Sequence, residues 1–148
     1  MSFKLSKKEI VKEILKCGKD PVYFTNNFCR ISHPLKGLVP FKTYPYQDDL
    51  LNDYNDFRFT VILKARQFGI STITAAYCVW LMLFHRDKSI LVMATKFAVA
   101  GNLVKKVKNI MRNLPDWIKI SEISVDNTLI KMRTIGDEVS WLGGVGVW

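Results

Sequence analysis

One stretch of the sequence has the residue types of a phosphate-binding loop. Residues 64–72 read Lys-Ala-Arg-Gln-Phe-Gly-Ile-Ser-Thr, which is close to the pattern Gly-x-x-x-x-Gly-Lys-Ser/Thr. Such a loop holds phosphates with backbone N–H groups and with the positive end of the helix that follows it. Gly69 lets the backbone approach the phosphates closely, and the Ser71 hydroxyl is placed to bind Mg²⁺. The candidate nucleotide-binding residues of the loop are Gln67, Gly69, Ile70, Ser71 and Thr72.

Two positions depart from that pattern. Lys64 replaces the first glycine, and Ile70 replaces the lysine that normally precedes the serine. An isoleucine cannot neutralise a β- or γ-phosphate, so another cation must do so if the loop supports ATP hydrolysis. Lys64 and Arg66 begin the loop and are the candidate catalytic cations. The motif alone is also compatible with a purely structural interpretation, because a Gly-Ser turn between a strand and a helix is common.

A second candidate group lies upstream, in Tyr44-Pro45-Tyr46-Gln47. A glutamine amide can hydrogen-bond both the acceptor and the donor edge of adenine, while an aromatic ring packs beside it. Tyr46 and Gln47 are therefore candidate adenine-binding residues. The alternative interpretation is an ordinary helix start with a surface glutamine.

These candidate residues need a strand before the loop and a helix after it. The aromatic and β-branched run Phe57–Leu63 predicts a buried strand, and Ser71 opens an apolar helix that ends near His85. A second buried strand is predicted over Ser89–Ala94 and an amphipathic helix over Phe97–Asn113. This βαβα order predicts an α/β fold in which a parallel sheet of the P-loop NTPase type is flanked by helices. We expect that sheet to be incomplete in this chain.

The rest of the sequence gives weaker structural signals. It divides into three predicted segments, residues 1–43, 44–134 and 135–148. Further predicted elements are helices over Lys7–Cys17, Val22–Phe28 and Pro45–Tyr54, an extended connector over Ser32–Thr43, and short strands over Glu122–Val125 and Leu129–Arg133. The last segment has glycines among bulky apolar residues and fits no element.

The composition is that of a basic globular protein. Hydrophobic residues make up 49% of the chain and its formal net charge is +9, which favours a polyanionic partner such as nucleic acid. The densest positive patch comprises Lys96, Lys105, Lys106, Lys108 and Arg112. These side chains would bind a DNA backbone without sequence preference, or are only the solvated face of a helix. The three cysteines match no zinc or disulfide pattern, and no run predicts a signal peptide or a membrane span.

The residues from Asp20 to about Leu114 resemble the start of the ATPase domain of large terminase subunits of tailed bacteriophages. The matching pieces are Pro45–Gln47, Leu63–Thr72, and Leu91–Lys96 with the helix after it. In that family the loop often departs from the standard form, with an arginine placed as Arg66 is and, in some members, a lysine placed as Lys64 is. The resemblance implies a motor that uses ATP and Mg²⁺ to pump double-stranded DNA into capsids, in the cytoplasm of the infected bacterial host. It also implies an oligomer whose partners are the phage portal and the small terminase subunit.

One family feature is missing from the sequence. An apolar run ending in Asp-Glu, which would hold Mg²⁺ and activate water, is not found, since Asp137-Glu138 follows the poor strand end Arg133–Gly136. We therefore expect the chain to be a fragment without a nuclease domain that does not hydrolyse ATP alone, with a tail compatible with a frameshift or an early stop. Two other functions stay open. These are a superfamily 2 helicase-like ATPase, which Ile70 disfavours, and a non-enzymatic basic nucleic-acid-binding protein.

Overall fold

A computed structural model of the protein describes residues 6–33, 35–85 and 89–119, together with two later strands. The helices are α1 (Lys7–Lys19), α2 (Pro21–Phe28), α3 (Pro45–Asp56), α4 (Ile70–Phe84), α5 (Phe97–Arg112) and α6 (Asp116–Lys119). The strands are β1 (Arg30–His33), β2 (Gly37–Pro40), β3 (Ile90–Val92), β4 (Met132–Thr134) and β5 (Glu138–Leu142). The fold is therefore mixed α/β, as predicted. Among the described residues, no helix is long and apolar enough to cross a membrane.

Local sequence signals set the starts of the first helices. The Ser6 hydroxyl accepts a hydrogen bond from the Glu9 N–H, and the Glu9 carboxylate accepts one from the Ser6 N–H at 2.7 Å. This reciprocal capping box fixes the start of α1. The Asp20 carboxylate accepts hydrogen bonds from the N–H groups of Val22 and Tyr23 and so caps α2. The two predicted N-terminal helices are confirmed, with small differences at their ends.

Helix α4 is the centre of the hydrophobic core. The buried indole of Trp80 donates a hydrogen bond of 2.6 Å to the Cys17 carbonyl in α1. Phe84 packs edge-to-face against Phe24 of α2, with 5.4 Å between ring centroids. The buried cluster extends along the chain as far as Ile118, so it includes residues on both sides of the predicted boundary at residue 44.

The three cysteines are free and belong to this core. Burial raises the pKa of the Cys17 and Cys78 thiols to about 12, and it also raises the pKa of Cys29. All three are therefore protonated at neutral pH. Because the thiolate is the reactive form, they act as small apolar core residues.

The connector predicted over Ser32–Thr43 is instead largely a β-hairpin. Strands β1 and β2 pair antiparallel over their whole length. The turn between them uses Gly37 at a φ of 68°, a conformation that glycine adopts without steric cost. The His33 Nδ1 accepts hydrogen bonds from the N–H groups of Leu35 and Lys36 and closes the turn. The proline and glycine signals thus marked a turn between two strands.

The second sheet also differs from the prediction. The strand expected over Ser89–Ala94 is present as the shorter β3, which pairs antiparallel with β5, and β5 pairs antiparallel with β4. Every strand pair that the structure describes is antiparallel, so the parallel sheet is not formed by those residues. Strand β5 lies in the tail segment, for which no element was predicted. The strand predicted over Glu122–Val125 falls outside the described residues.

The prediction of a buried strand over Phe57–Leu63 is wrong. Residues 57–65 have no regular secondary structure, and Phe59, Val61 and Leu63 are 82%, 97% and 102% exposed. An apolar run becomes a buried strand only where neighbouring strands pair with its backbone and other elements cover its faces. Within the described part of the chain, no backbone hydrogen bond joins residues 58–67 to any other residue.

Candidate nucleotide-binding site

The loop that enters α4 has a constrained backbone. Gln67 and Gly69 both have a positive φ, of 64° and 71° respectively. A side chain in this left-handed region costs about 1–2 kcal/mol, so the conformation of Gln67 is strained. Strain of this kind tends to cluster at ligand-binding loops. The loop is therefore held in a shape that its sequence does not favour locally.

The first turn of α4 leaves backbone donors free. The N–H groups of Thr72 and Ile73 donate to the Gly69 carbonyl, whereas those of Ile70 and Ser71 donate to no described residue. No side chain caps this helix, its first turn has no acidic residue, and Ser71 is exposed. Free N–H groups at the positive end of a helix favour an anion. The predicted helix is confirmed, and the N–H groups of Ile70 and Ser71 at its start have no partner among the described residues.

Tyr46 and Gln47 contact the loop directly from the first turn of α3. The Tyr46 hydroxyl donates a hydrogen bond of 3.0 Å to the Phe68 carbonyl, and the Gln47 Nε2 donates one of 3.4 Å to the same oxygen. A Cβ at Gly69 would lie 2.8 Å from the Gln47 Nε2, so the glycine leaves room for this amide. The structure thus brings together the two candidate groups that the sequence places apart.

The alternative interpretation places Gln47 on the surface, and the structure shows that this is wrong. Gln47 is only 3% exposed, and its Oε1 accepts a hydrogen bond of 3.2 Å from the Tyr44 N–H at the start of α3. The amide therefore has partners at both ends within the protein. Hydrogen-bonding an adenine with Nε2 would mean exchanging one of its two 3.4 Å contacts, to the Phe68 carbonyl or to the Tyr46 hydroxyl, both of which are long for such a bond.

A pocket of about 390 Å³ lies beside the loop. Its volume is in the range of small-molecule sites. Tyr46 and Phe68 line the pocket together with Lys64, and their rings lie 5.4 Å apart. Two carboxylates of α3, those of Asp49 and Asp53, also face it. The pocket therefore combines aromatic and aliphatic surface with charged groups of both signs.

Tyrosines hold α3 against α4. The Tyr54 hydroxyl shares a hydrogen bond of 3.0 Å with the Thr74 hydroxyl, and the Tyr77 hydroxyl donates one of 2.8 Å to the Tyr54 carbonyl. Burial raises the pKa of both tyrosines, so these phenols stay neutral donors at physiological pH. This contact fixes the position of Tyr46 and Gln47 relative to the loop.

The cations of the site come from two places. Lys64 and Arg66 are exposed and form no ion pair with a described carboxylate. A third cation was not expected here, because the sequence indicated Lys106 only as part of the basic helix face. Its Nζ donates a hydrogen bond of 3.0 Å to the Thr72 Oγ1 in the first turn of α4. The two residues are 34 positions apart, so no local pattern could indicate the contact.

No protein-family model matches the sequence. In the part of the chain that the structure describes, no three His, Cys, Asp or Glu side chains are grouped so that they could hold a metal ion. Ser71, the predicted Mg²⁺ ligand, is a hydroxyl residue and lies exposed at the start of α4.

Proposed function

We propose that the chain is the ATP-binding part of a large terminase subunit, the motor that packages double-stranded DNA into phage capsids. The observation that carries the proposal is the contact of Tyr46 and Gln47 with the Phe68 carbonyl, one residue before Gly69. This contact joins at one place the two sequence pieces on which the resemblance to terminases most depends.

In this proposal the residues of the site have distinct roles. The free N–H groups of Ile70 and Ser71 at the start of α4 would hold the triphosphate, and the Ser71 hydroxyl would be the protein group that holds Mg²⁺. Lys64 and Arg66 neutralise the charge that Ile70 cannot, and ATP supplies the phosphoryl group whose transfer this charge assists. The base lies against Tyr46, with Gln47 as its hydrogen-bonding partner.

The remaining partners follow from the basic charge and from the resemblance. Double-stranded DNA would contact exposed cations of α5, such as Arg112, through its phosphates. The motor would be an oligomer that works with the phage portal and the small terminase subunit in the cytoplasm of the infected host. A helicase-like ATPase would share a glutamine such as Gln47, but it would normally have a lysine at the position that Ile70 occupies here. Genes for a portal and a capsid beside this one would favour the terminase.

Two glycine variants test the nucleotide site. Gly69→Ala places a side chain at a φ of 71° and within 2.8 Å of the Gln47 amide, so we expect it to weaken ATP binding by about tenfold or more. Gly37→Ala carries a similar φ of 68° but meets nothing within 4 Å, and the hairpin turn is far along the chain from the loop. It should bind ATP as the wild type does. Backbone amide NMR with ATP and Mg²⁺ measures both affinities.

Two results of the same titration would contradict the proposal. In the first result, millimolar ATP does not shift the amide resonances of residues 69–72 in the wild-type protein. In the second result, Gly69→Ala binds ATP as tightly as Gly37→Ala does, and circular dichroism shows that the Gly69→Ala variant is folded.

A further inference from the structure

The amphipathic helix α5 contacts α4 along a buried seam and sends one lysine to the start of α4. Val104 and Val107 are buried on the seam side. Between them, Lys106 reaches the Thr72 hydroxyl, with 3.0 Å between Nζ and Oγ1. Lys105, its neighbour, is also exposed but has no hydrogen-bond partner among the described residues. Two adjacent lysines of one helix are thus in different environments.

The Lys106 ammonium lies beside the first turn of α4 and forms no ion pair with a described carboxylate. The N-terminal end of a helix carries a partial positive charge, which stabilises anions and disfavours cations. No acidic residue lies in the first turn of α4, and the ion pairs of the described chain, Lys16–Glu13 and Lys119–Asp116, lie elsewhere. Lys64 and Arg66 in the preceding loop add charge of the same sign. An anion bound at the start of α4 would therefore gain an ion pair with Lys106.

We propose that Lys106 binds the phosphates of a nucleoside di- or triphosphate at the start of α4, and supplies from a second helix the charge that Ile70 does not. This inference rests on the proposed nucleotide site. An ammonium has three N–H donors. One is used by Thr72, which holds the side chain in place, and two are directed to phosphate oxygens. Thr72 is accordingly a positioning residue for Lys106.

The recognised group is the polyphosphate and not the base or the DNA backbone. Lys106 contacts Thr72, which belongs to the same first turn of α4 as the free N–H groups of Ile70 and Ser71. The lysines that serve only as a DNA surface have no reason to contact α4. Lys105 therefore provides a matched control with the same chemistry, helix and exposure.

The test compares Lys106→Met, Lys106→Arg and Lys105→Met in the whole chain. Each is titrated with ATP, ADP, adenosine and inorganic tripolyphosphate, and binding is followed from the amide resonances of residues 69–72. Lys106→Met should weaken ATP and tripolyphosphate by about tenfold, the loss of one charge-assisted contact, and leave adenosine unchanged. Lys106→Arg should recover most of the affinity. Lys105→Met should change each affinity by less than about twofold.

The outcomes separate this inference from the proposed function. If the wild type binds ATP at the loop but Lys106→Met binds it equally well, the role of Lys106 is overturned and the nucleotide site stands. Equal losses in the two methionine variants would also overturn it, since only general charge would then matter. So would a loss of adenosine binding, which would indicate a structural role. Absence of both ATP and tripolyphosphate binding in the wild type would overturn the two proposals together.

Discussion

Gly69 is required by two separate constraints. Its φ of 71° is strained for any side chain, and a Cβ would lie 2.8 Å from the Gln47 Nε2. From the sequence alone, the glycine is explained by the close approach of phosphates to the backbone. The constraint from the buried amide could not be predicted, because it depends on how α3 lies against the loop. The contact between Lys106 and Thr72 was beyond sequence reasoning for the same reason, as it follows from the crossing of two helices.

The role of Gln47 can be tested by nucleotide preference. If its amide reads adenine, Gln47→Ala should weaken ATP more than GTP, because the two purines present opposite donor and acceptor groups at that edge. We expect the difference to be about fivefold, the value of one net hydrogen bond. Competition titrations of the two nucleotides against one fluorescent ATP analogue measure it.

Asn55→Ala is the control for that substitution. Asn55 is an exposed amide at the other end of α3 and bonds only its neighbour Asp56 among the described residues. Its loss should affect neither nucleotide. Equal weakening of ATP and GTP by Gln47→Ala would contradict adenine recognition. Gln47 would then act by holding the Phe68 carbonyl, and hence the loop, in place.

At the scale of elements, helices were predicted well and strands poorly. Capping groups such as Ser6 with Glu9, and Asp20, are local in sequence, so a helix carries most of its own evidence. A strand depends on partners that are remote in sequence. The sequence therefore does not reveal the hairpin of β1 and β2. The strand predicted over Phe57–Leu63 has no pairing partner among the described residues.

The exposed segment 57–63 is expected to make the chain self-associate. Phe59, Val61 and Leu63 are exposed apolar side chains, and the backbone of this segment has no hydrogen-bond partner among the described residues, so it can pair with a second chain. Val61→Lys should shift the protein toward monomer, because a charged lysine in this segment opposes strand pairing between two chains. Sedimentation velocity over a range of protein concentrations measures the change.

Val99→Lys is the matched substitution for this experiment. Val99 is also an exposed valine, at 55%, but it lies on α5, whose backbone is hydrogen-bonded within the helix. It should leave the association unchanged. A wild-type protein that is monomeric at every concentration would show that the segment is not adhesive. An equal effect of both lysines would indicate that net charge alone governs association.

At the scale of the whole molecule, one hydrophobic core supports the site but not a complete catalytic centre. The core extends from α1 to α6 and fixes α3, α4 and α5 around the loop. Phosphoryl transfer also needs a carboxylate that positions the metal and the attacking water. Asp49 and Asp53 face the pocket, but they lie on α3 and not at the end of a strand beside the loop. Of the sequence candidates Asp137 and Glu138, Asp137 lies outside the described residues and Glu138 is the first residue of β5.

We therefore expect the 148-residue protein to bind ATP weakly at best and not to turn it over. In the proposed site, the loop supplies backbone donors, the Ser71 hydroxyl and the cations Lys64 and Arg66 for phosphate binding. Hydrolysis requires in addition that water be activated, and nothing at the described site is placed to do so. Phosphate release by the purified protein with Mg²⁺ and ATP, measured with and without double-stranded DNA, should not exceed that of a Lys64→Ala or Arg66→Ala variant. Turnover near about one per second, in the range of phosphoryl-transfer enzymes, that is abolished by Lys64→Ala would contradict this expectation. It would mean that Asp49, Asp53, Asp137 or Glu138 completes the catalytic centre and that Lys64 is a working catalytic cation.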